Sequence, residues 1–220
     1  MDNSSIDNVK HALQAGNNEL AISLAHQQLA RQVVEPPVID ELYYMLTVAQ
    51  RLQGQFTEAL ASVLTLIQRQ PDYARAYQEK AYIQLAQQHN DEAISAFLKA
   101  TRLNPALLSS WSKLQVLYQQ MGEQAAIDFC TQQIHFLQGL PKEICGARDL
   151  MYEGKLFVAD SLCRRYLQGN KHNAEAMLLL AEIGMRLKVY HDAEFLLESC
   201  TELYPDFTRA QTEYMQLLAK

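Results

Sequence analysis

The sequence predicts an all-α fold: a right-handed α-α superhelix, or solenoid, of about six helix pairs followed by one terminal helix. Two observations predict it. The 220 residues are 49% apolar but include only 8 glycines and 6 prolines, a composition that favours helices over turn-rich β folds. An apolar pattern also recurs, because Pro71 and Pro105 lie 34 residues apart and each separates two apolar-periodic runs.

This pattern divides the chain into units of about 34 residues. The frame set by Pro71 and Pro105 extends in both directions, and the first unit is degenerate. Residues 34–39 contain Pro36 and Pro37 and are expected to form a lengthened connection. The predicted N-terminal repeats (1–139) are units 2–35, 40–73, 74–107 and 108–139, and the predicted C-terminal repeats (140–220) are units 140–173 and 174–207 with a final helix, 208–220.

The fifth unit is the weakest. Gly154 and Ala159 place its start near Leu140, and Lys171 stands where other units have proline. The preceding stretch, 137–148, carries two glycines and a proline, so it predicts either a bend or a boundary between two lobes. We favour a bend, because the apolar residues of this stretch can still form a helix.

Each repeated residue has a physical role in a helix pair. An aromatic residue at position 4 and a leucine at position 7 share one face of the first helix, and small residues at positions 8 and 20, such as Ala81 and Ala93, let two helices approach closely. Glycine at position 15 supplies a positive φ that ends a helix, and proline at position 32 cannot continue one. The pattern resembles the tetratricopeptide repeat.

Composition and charge argue against several classes of partner. A net charge of −6 is not the footprint of a protein that holds phosphate backbones, so we expect no nucleic-acid partner. The first ten residues are polar and no apolar run approaches membrane-spanning length, so we expect no membrane partner and a cytoplasmic location. A homo-oligomer remains an open alternative.

No catalytic motif is present, so the sequence predicts no enzyme activity, cofactor or metal site for this chain. His89 and His191 are expected to be solvated residues of the turns within helix pairs, too far apart along a solenoid to share a ligand.

The four cysteines form no CxxC pair, which argues against a zinc or thioredoxin-type motif. Cys163 and Cys200 fall at inward-facing positions and are expected to be buried, unreactive thiols. Cys130 and Cys145 lie in a less certain frame and remain minor redox candidates.

A solenoid offers a concave groove lined by its first helices. Tyr44, Tyr82 and Tyr152 are expected to be exposed there. Exposed tyrosine and arginine often carry binding energy at interfaces, so the sequence predicts a non-catalytic interaction scaffold that binds a peptide or helix of a partner protein in the groove. The alternative is that these side chains pack against one another across a tightly curled groove. The candidate binding residues are Tyr44, Val48, Arg51, Arg75, Gln78, Tyr82, Ser112, Val116, Arg148 and Tyr152.

One specific ligand is disfavoured. Tetratricopeptide co-chaperones hold a C-terminal carboxylate with lysine, asparagine and arginine at fixed positions of three consecutive repeats. The corresponding residues here do not match, and Glu79 would repel the carboxylate. They are Tyr44, Val48, Glu79, Ser109 and Lys113.

A narrower resemblance covers the last third of the chain. Residues 147–220, and above all AEFLLESCTELYPDFTRA at 193–210, resemble the repeat region that precedes the catalytic domain of bacterial tetratricopeptide-containing sulfotransferases. The resemblance implies that this chain is the non-catalytic part of a longer enzyme, where it positions a substrate or mediates self-association. The sequence itself has no phosphate-binding loop, so none of that family's catalytic residues can be assigned here.

Overall fold

The computed structural model describes residues 4–31 and 36–219, and the regular structure of these residues is entirely helical. The described helices form six consecutive pairs and one further helix, which confirms the predicted all-α repeat fold. They are α1 Ser4–Gln14, α2 Asn18–Leu29, α3 Pro36–Leu52, α4 Phe56–Arg69, α5 Ala74–Ala86, α6 Asn90–Leu103, α7 Leu108–Met121, α8 Gln124–Gly139, α9 Lys142–Tyr152, α10 Leu156–Gly169, α11 Ala174–Arg186, α12 Tyr190–Leu203 and α13 Thr208–Leu218.

The turn within each pair contains one residue with a positive φ. In the second pair, Gly54 has a φ of 75° and donates its N–H to the Arg51 carbonyl at 3.0 Å, while Gln55 donates to the Gln50 carbonyl at 2.9 Å. These two bonds form the Schellman motif that closes a helix C-terminus. A positive φ occurs at the equivalent position of all six pairs: Gly16, Gly54, Gln88, Gly122, Gly154 and Lys188.

Two of these residues hold the left-handed conformation without being glycine. Gln88 has a φ of 64° and Lys188 a φ of 63°. A β-carbon makes this conformation unfavourable by roughly 1–2 kcal/mol. The geometry of the helix pair therefore overrides the local preference of both residues.

Small side chains bring the paired helices together. The position of the second helix that faces the first helix is a fully buried alanine in five of the six pairs. A branched side chain there would separate the two backbones. These alanines are Ala21, Ala59, Ala93, Ala159 and Ala193.

The chain divides into two compact units. The N-terminal unit comprises Met1–Leu103 with Ser109–Cys130, and the C-terminal unit comprises Asn104–Leu108 with Thr131–Lys220. Each unit has its own apolar core. Fully buried side chains in the N-terminal unit include Leu46, Leu66, Ile83 and Phe97, and those in the C-terminal unit include Ile144, Met151, Ile183 and Leu197.

The structure differs from the sequence analysis before the second repeat. Residues 36–39 were expected to belong to a connection, but Pro36 begins α3, four residues before the predicted unit start at Asp40. Proline is tolerated in the first turn of a helix, because the amide hydrogens of that turn have no intrahelical acceptor. Residues 34 and 35 lie outside the described part of the chain.

The stretch before the fifth repeat is helical for most of its length. α8 continues to Gly139, and α9 begins at Lys142, two residues after the predicted unit start. Gly154 then ends the first helix of this pair with a φ of 76°. The repeat with the weakest sequence pattern therefore forms the same helix pair as the others.

Candidate functional site

Three first helices of the N-terminal unit carry most of the predicted binding residues. Tyr44, Val48 and Arg51 lie on α3 at helical spacing, which places them on one face of that helix. We call the corresponding surface of the three helices the first-helix face. Its remaining predicted members are Arg75, Gln78 and Tyr82 on α5, and Ser112 and Val116 on α7.

These side chains differ in exposure. Val116 is 47% exposed, whereas Tyr44 and Tyr82, which the sequence suggested would be exposed, are half-buried. Gln78 is buried. Half-burial leaves part of each tyrosine ring on the surface while neighbouring side chains fix its orientation.

Arg51, Glu79 and Tyr82 lie together and form what we call the Arg51 cluster. Arg51 Nε donates a hydrogen bond to Glu79 Oε2 at 2.6 Å. The Arg51 guanidinium also lies 5.2 Å from the centroid of the Tyr82 ring, in a cation–π contact. A charge-assisted hydrogen bond and a ring contact thus join α3 to α5.

Edge-to-face contacts fix the two tyrosine rings. The centroid of Tyr82 lies 5.3 Å from that of the buried Phe97, at an interplanar angle of 84°. Tyr44 makes a similar contact with Tyr73, at 5.6 Å and 66°. Such pairs are favourable by about 0.5–1.5 kcal/mol beyond their burial, so the rings are held in place before any ligand arrives.

Gln78 connects two helices. Its amide nitrogen donates to Ser110 Oγ at 2.7 Å and to Ser109 Oγ at 3.0 Å. These bonds join α5 to the start of α7. The buried side chain of Gln78 therefore holds α5 and α7 together beneath the first-helix face.

Glu79 is a buried carboxylate in an unfavourable environment. Only 5% of its surface is exposed, and burial raises its pKa, while the neighbouring guanidinium groups of Arg51 and Arg75 partly oppose that rise. The Arg51 hydrogen bond favours the ionised form of Glu79. The carboxylate of Glu79 therefore forms an internal ion pair, and this ion pair fixes the position of Arg51.

The remaining two predicted residues lie in the C-terminal unit. Arg148 on α9 is buried, with 6% of its surface exposed. Its guanidinium nitrogens lie 3.5 Å from Glu175 and 3.8 Å from Glu182, and its guanidinium carbon lies 5.6 Å from the centroid of Phe136. Tyr152 is half-buried and faces the Arg186 guanidinium at 5.1 Å. Arg148 therefore packs among other side chains of the groove, which was the alternative to binding a partner.

Two residues of this group were missed from the sequence. Arg209 makes two hydrogen bonds to the Glu175 carboxylate, at 2.8 and 2.9 Å, and lies 5.0 Å from the centroid of Phe136. Arg209 occupies the second position of its unit, as Arg75 does, so extending the frame to the last helix would have found it. No repeat position predicts Phe136. We call Phe136, Arg148, Glu175, Glu182 and Arg209 the Arg148 cluster.

The hydrogen bonds of the Arg148 cluster are incomplete. Nε and Nη2 of Arg148 have no hydrogen-bond acceptor among the described residues. Burial raises the pKa of Glu182, and the positive charges of Arg148 and Arg209 oppose that rise. Within the cluster, Arg209 and Glu175 are joined by hydrogen bonds, whereas Arg148 lies near two carboxylates but leaves two of its nitrogens without an acceptor.

The thiols are poor nucleophiles. Cys163 and Cys200 are fully buried, as expected, and burial raises the pKa of the Cys163 thiol to about 12. Burial also raises the pKa of Cys130 and of the half-buried Cys145. Such shifts disfavour the reactive thiolate, and this weakens the redox reading of both residues.

The two histidines occupy different places. His89 is exposed in the turn between α5 and α6, as expected. His191 is exposed, but it is the second residue of α12 and lies two residues beyond the turn in which we expected it. Within residues 4–31 and 36–219, no three His, Cys, Asp or Glu side chains are arranged to hold a metal ion.

Comparison with protein families identifies the repeat. Residues 6–74 and 48–107 match the model of the tetratricopeptide repeat. The match covers α1 to α6 and thus most of the N-terminal unit. The chain is an all-α helical-repeat protein, and its segment 6–107 carries tetratricopeptide repeats.

Solved structures share this fold along nearly the whole chain. The chain is similar to Pseudomonas aeruginosa pilF, with 20% identity, a TM-score of 0.53, and coverage of 98% of this chain and 96% of that one. It is also similar to a tetratricopeptide repeat protein from Parabacteroides merdae, with 12% identity, a TM-score of 0.55, and coverage of 99% and 98%. Identities this low show the fold alone.

A third similar structure is that of Naa15/Naa10 bound to HypK-THB. The identity is 15% and the TM-score 0.52, and the match covers 98% of this chain and 38% of the other. No curated protein matches the sequence. None of the described helices combines the length and apolar character that a membrane crossing requires.

Proposed function

We propose that the first-helix face of the N-terminal unit binds a peptide or helix of a partner protein. The observation that carries the proposal is the pair of half-buried tyrosines, Tyr44 and Tyr82, each held by an edge-to-face contact. The ring of Tyr82 also lies against the guanidinium of Arg51, which is paired with Glu79. Rigid aromatic rings beside a fixed arginine supply binding energy at a small cost in side-chain entropy.

The repeat architecture supports this assignment. Tetratricopeptide repeats commonly act as protein-interaction modules, and the residues of successive first helices form an extended surface in such proteins. One structurally similar chain comes from a complex with a bound protein, HypK-THB. The exposed Val116 adds an apolar contact beyond the two tyrosines.

Capture of partners from a lysate tests the proposal. The test variant carries Tyr82→Leu, Arg51→Gln and Glu79→Gln, which removes the ring and both charges without leaving an unpaired buried carboxylate. We expect capture to fall at least about tenfold, since a central aromatic and an arginine together exceed 1.4 kcal/mol at an interface. Quantitative mass spectrometry of the captured proteins measures this.

A matched control separates the face from general effects. The variant Phe157→Leu, Arg165→Gln and Glu19→Gln likewise changes one aromatic residue, one arginine and one glutamate, at exposed positions of second helices. We expect its capture to equal that of the unchanged protein. Equal capture by all three proteins, with unfolding curves that show each is folded, would contradict the proposal.

The sulfotransferase resemblance stays a prediction, as do a cytoplasmic location and self-association. The described residues form helices and the turns between them, so this part of the chain could serve such an enzyme only as its repeat region. Reading the gene on both sides of the sequence tests that hypothesis, because a phosphate-binding loop within an α/β pattern would support it.

A further inference from the structure

The surface formed by α12 and α13 has an apolar face that nothing described covers. In five of the six pairs the contacts between helices include those of the first helix with the second helix of its own repeat, and α13 packs on α12. Met215 and Leu218 on α13 are 67% and 56% exposed. Apolar side chains this exposed can bury area against a bound helix.

A cavity lies on this surface. It has a volume of about 520 Å³ and is lined by Tyr190, Glu194, Leu217 and Leu218. Three of its four lining residues are apolar or aromatic. A leucine-sized side chain from an incoming helix would bury apolar area there.

A stripe of carboxylates borders the apolar face. Glu194, Glu198 and Glu202 lie four residues apart on α12, so they follow one face of the helix, and all three are exposed. None lies within ion-pair distance of a cation in the part of the chain that the structure describes. The helix α13 packs on α12, which carries the stripe. Burial raises the pKa of Tyr214 on α13, and the charges of these three carboxylates add to that rise.

We propose that the α12–α13 surface binds a basic amphipathic helix of a partner protein. Leucine-type residues of that helix enter the cavity beside Leu217 and Leu218, and its lysines or arginines face the Glu194–Glu198–Glu202 stripe. This surface is separate from the first-helix face of the N-terminal unit, and the two proposals stand or fall independently.

Charge decides between this occupant and a second copy of the chain. Like charges four residues apart on a helix repel each other, and a cationic partner relieves that repulsion. In a two-fold symmetric dimer the same surface meets itself, so two acidic stripes would flank one interface. The one described arginine of α13, Arg209, is engaged by Glu175. A basic helix is thus the better complement.

Binding of a designed peptide tests the proposal. The probe is a synthetic helix of about 18 residues, with leucines on one face and lysines along both edges of that face, and its match replaces every lysine with glutamate. Both are titrated into the full chain and followed by fluorescence anisotropy. We expect saturable binding of the lysine peptide that weakens with added salt, and binding at least about tenfold weaker for the glutamate peptide.

Two variants of equal net charge locate the site. Glu194→Gln, Glu198→Gln and Glu202→Gln should weaken binding of the lysine peptide by about tenfold, since three exposed ion pairs are lost. The control Glu19→Gln, Glu58→Gln and Glu92→Gln removes three exposed carboxylates of the N-terminal unit and should leave binding unchanged. All substitutions are at exposed positions, so the variants should keep their fold.

Three results would overturn the proposal. Equal weakening by the two triple variants would show that attraction by net charge explains the binding. Unchanged binding after Leu218→Ser would show that the apolar face takes no part. Self-association of the unchanged chain in sedimentation, abolished by Leu218→Ser, would assign the surface to a second copy.

Discussion

The two units place arginines of their first helices in opposite situations. In the N-terminal unit, Arg51 is held by one short hydrogen bond to Glu79 and by the Tyr82 ring, and 23% of its side chain remains exposed. In the C-terminal unit, Arg148 is buried, lies 3.5 and 3.8 Å from two carboxylates, and leaves two donor nitrogens without acceptors.

This difference shows that the position of a residue within the repeat does not determine whether its side chain is available for binding. Both arginines lie at positions that the repeat frame assigns to the groove. Arg51 has one carboxylate partner and a ring beside it, whereas Arg148 shares Glu175 and Glu182 with Arg209 and packs near Phe136. The number of charged neighbours from adjacent helices determines the outcome.

The largest expected effect comes from breaking the N-terminal pair. Arg51→Gln leaves the buried Glu79 without its hydrogen-bonded cation and with only the more weakly acting Arg75 nearby. We expect a loss of about 2–3 kcal/mol in the free energy of unfolding at about pH 8, less than for a fully buried pair because Arg51 is partly solvated. The double variant Arg51→Gln with Glu79→Gln should recover most of the loss. Urea unfolding measures all three proteins.

The loss should depend on pH. Burial raises the pKa of Glu79 in the folded protein above its unfolded value of 4.5. The protonated carboxyl therefore contributes fully to stability below pH 4.5, and this contribution is lost as the pH rises through the folded pKa. Arg51→Gln removes a positive charge that lowers the folded pKa of Glu79. The folded pKa therefore rises further in the variant, and the contribution of the protonated carboxyl is lost at a higher pH. The deficit of the variant should thus be smaller at about pH 5 than at about pH 8. Equal deficits at both pH values would contradict this explanation.

A smaller effect is expected at the C-terminal cluster. Arg148→Met should cost about 1 kcal/mol, because two of the Arg148 donors make no hydrogen bond and Arg209 still neutralises Glu175. Adding Glu182→Gln should bring stability back to that of the unchanged protein. A cost equal to that of Arg51→Gln would reverse the comparison between the two clusters.

The smallest effects should be the same in both units. Gln88→Gly and Lys188→Gly each replace a residue strained by its left-handed conformation with glycine, which adopts that conformation readily, in one turn of each unit. Each substitution should add about 0.5 kcal/mol to stability. Gly54→Ala and Gly154→Ala are the reverse tests, and each should cost about 1 kcal/mol, since an added β-carbon meets nothing within 4 Å at either site and only the backbone is strained.

Unequal effects within either matched pair would show that the two units differ in backbone strain as well as in charge. Urea unfolding, followed by circular dichroism, resolves differences of this size when the curves share a slope.

Much of the fold could be predicted from the sequence. The 34-residue frame placed the starts of α5, α7, α11 and α13 at Ala74, Leu108, Ala174 and Thr208, where the structure has them. Position 15 of the frame also predicted a left-handed glycine at sites such as Gly54 and Gly154, where the structure has one. The left-handed Gln88 and Lys188 were not predicted, because residues with a β-carbon disfavour that conformation. The frame failed at Pro36, where a proline that often separates helices instead begins one.

Less of the candidate site could be predicted. The frame identified Arg51, Tyr82 and Arg148, but it could not show that Glu79 and Glu175 would bind arginines of other helices, because such pairs depend on how neighbouring helices align. Phe136 lies on a second helix, where the frame assigns no groove residue. Its contacts with Arg148 and Arg209 could be seen only in three dimensions.

Site-specific photocrosslinking tests most directly whether the first-helix face of the N-terminal unit binds a partner. A benzoylphenylalanine replaces Tyr82 in one protein and the 80%-exposed Phe157 in another, and cross-linked peptides are mapped by mass spectrometry. The proposal predicts that position 82 cross-links to one defined segment of a partner protein and that position 157 does not. No cross-link at position 82, or the same products from both positions, would contradict it.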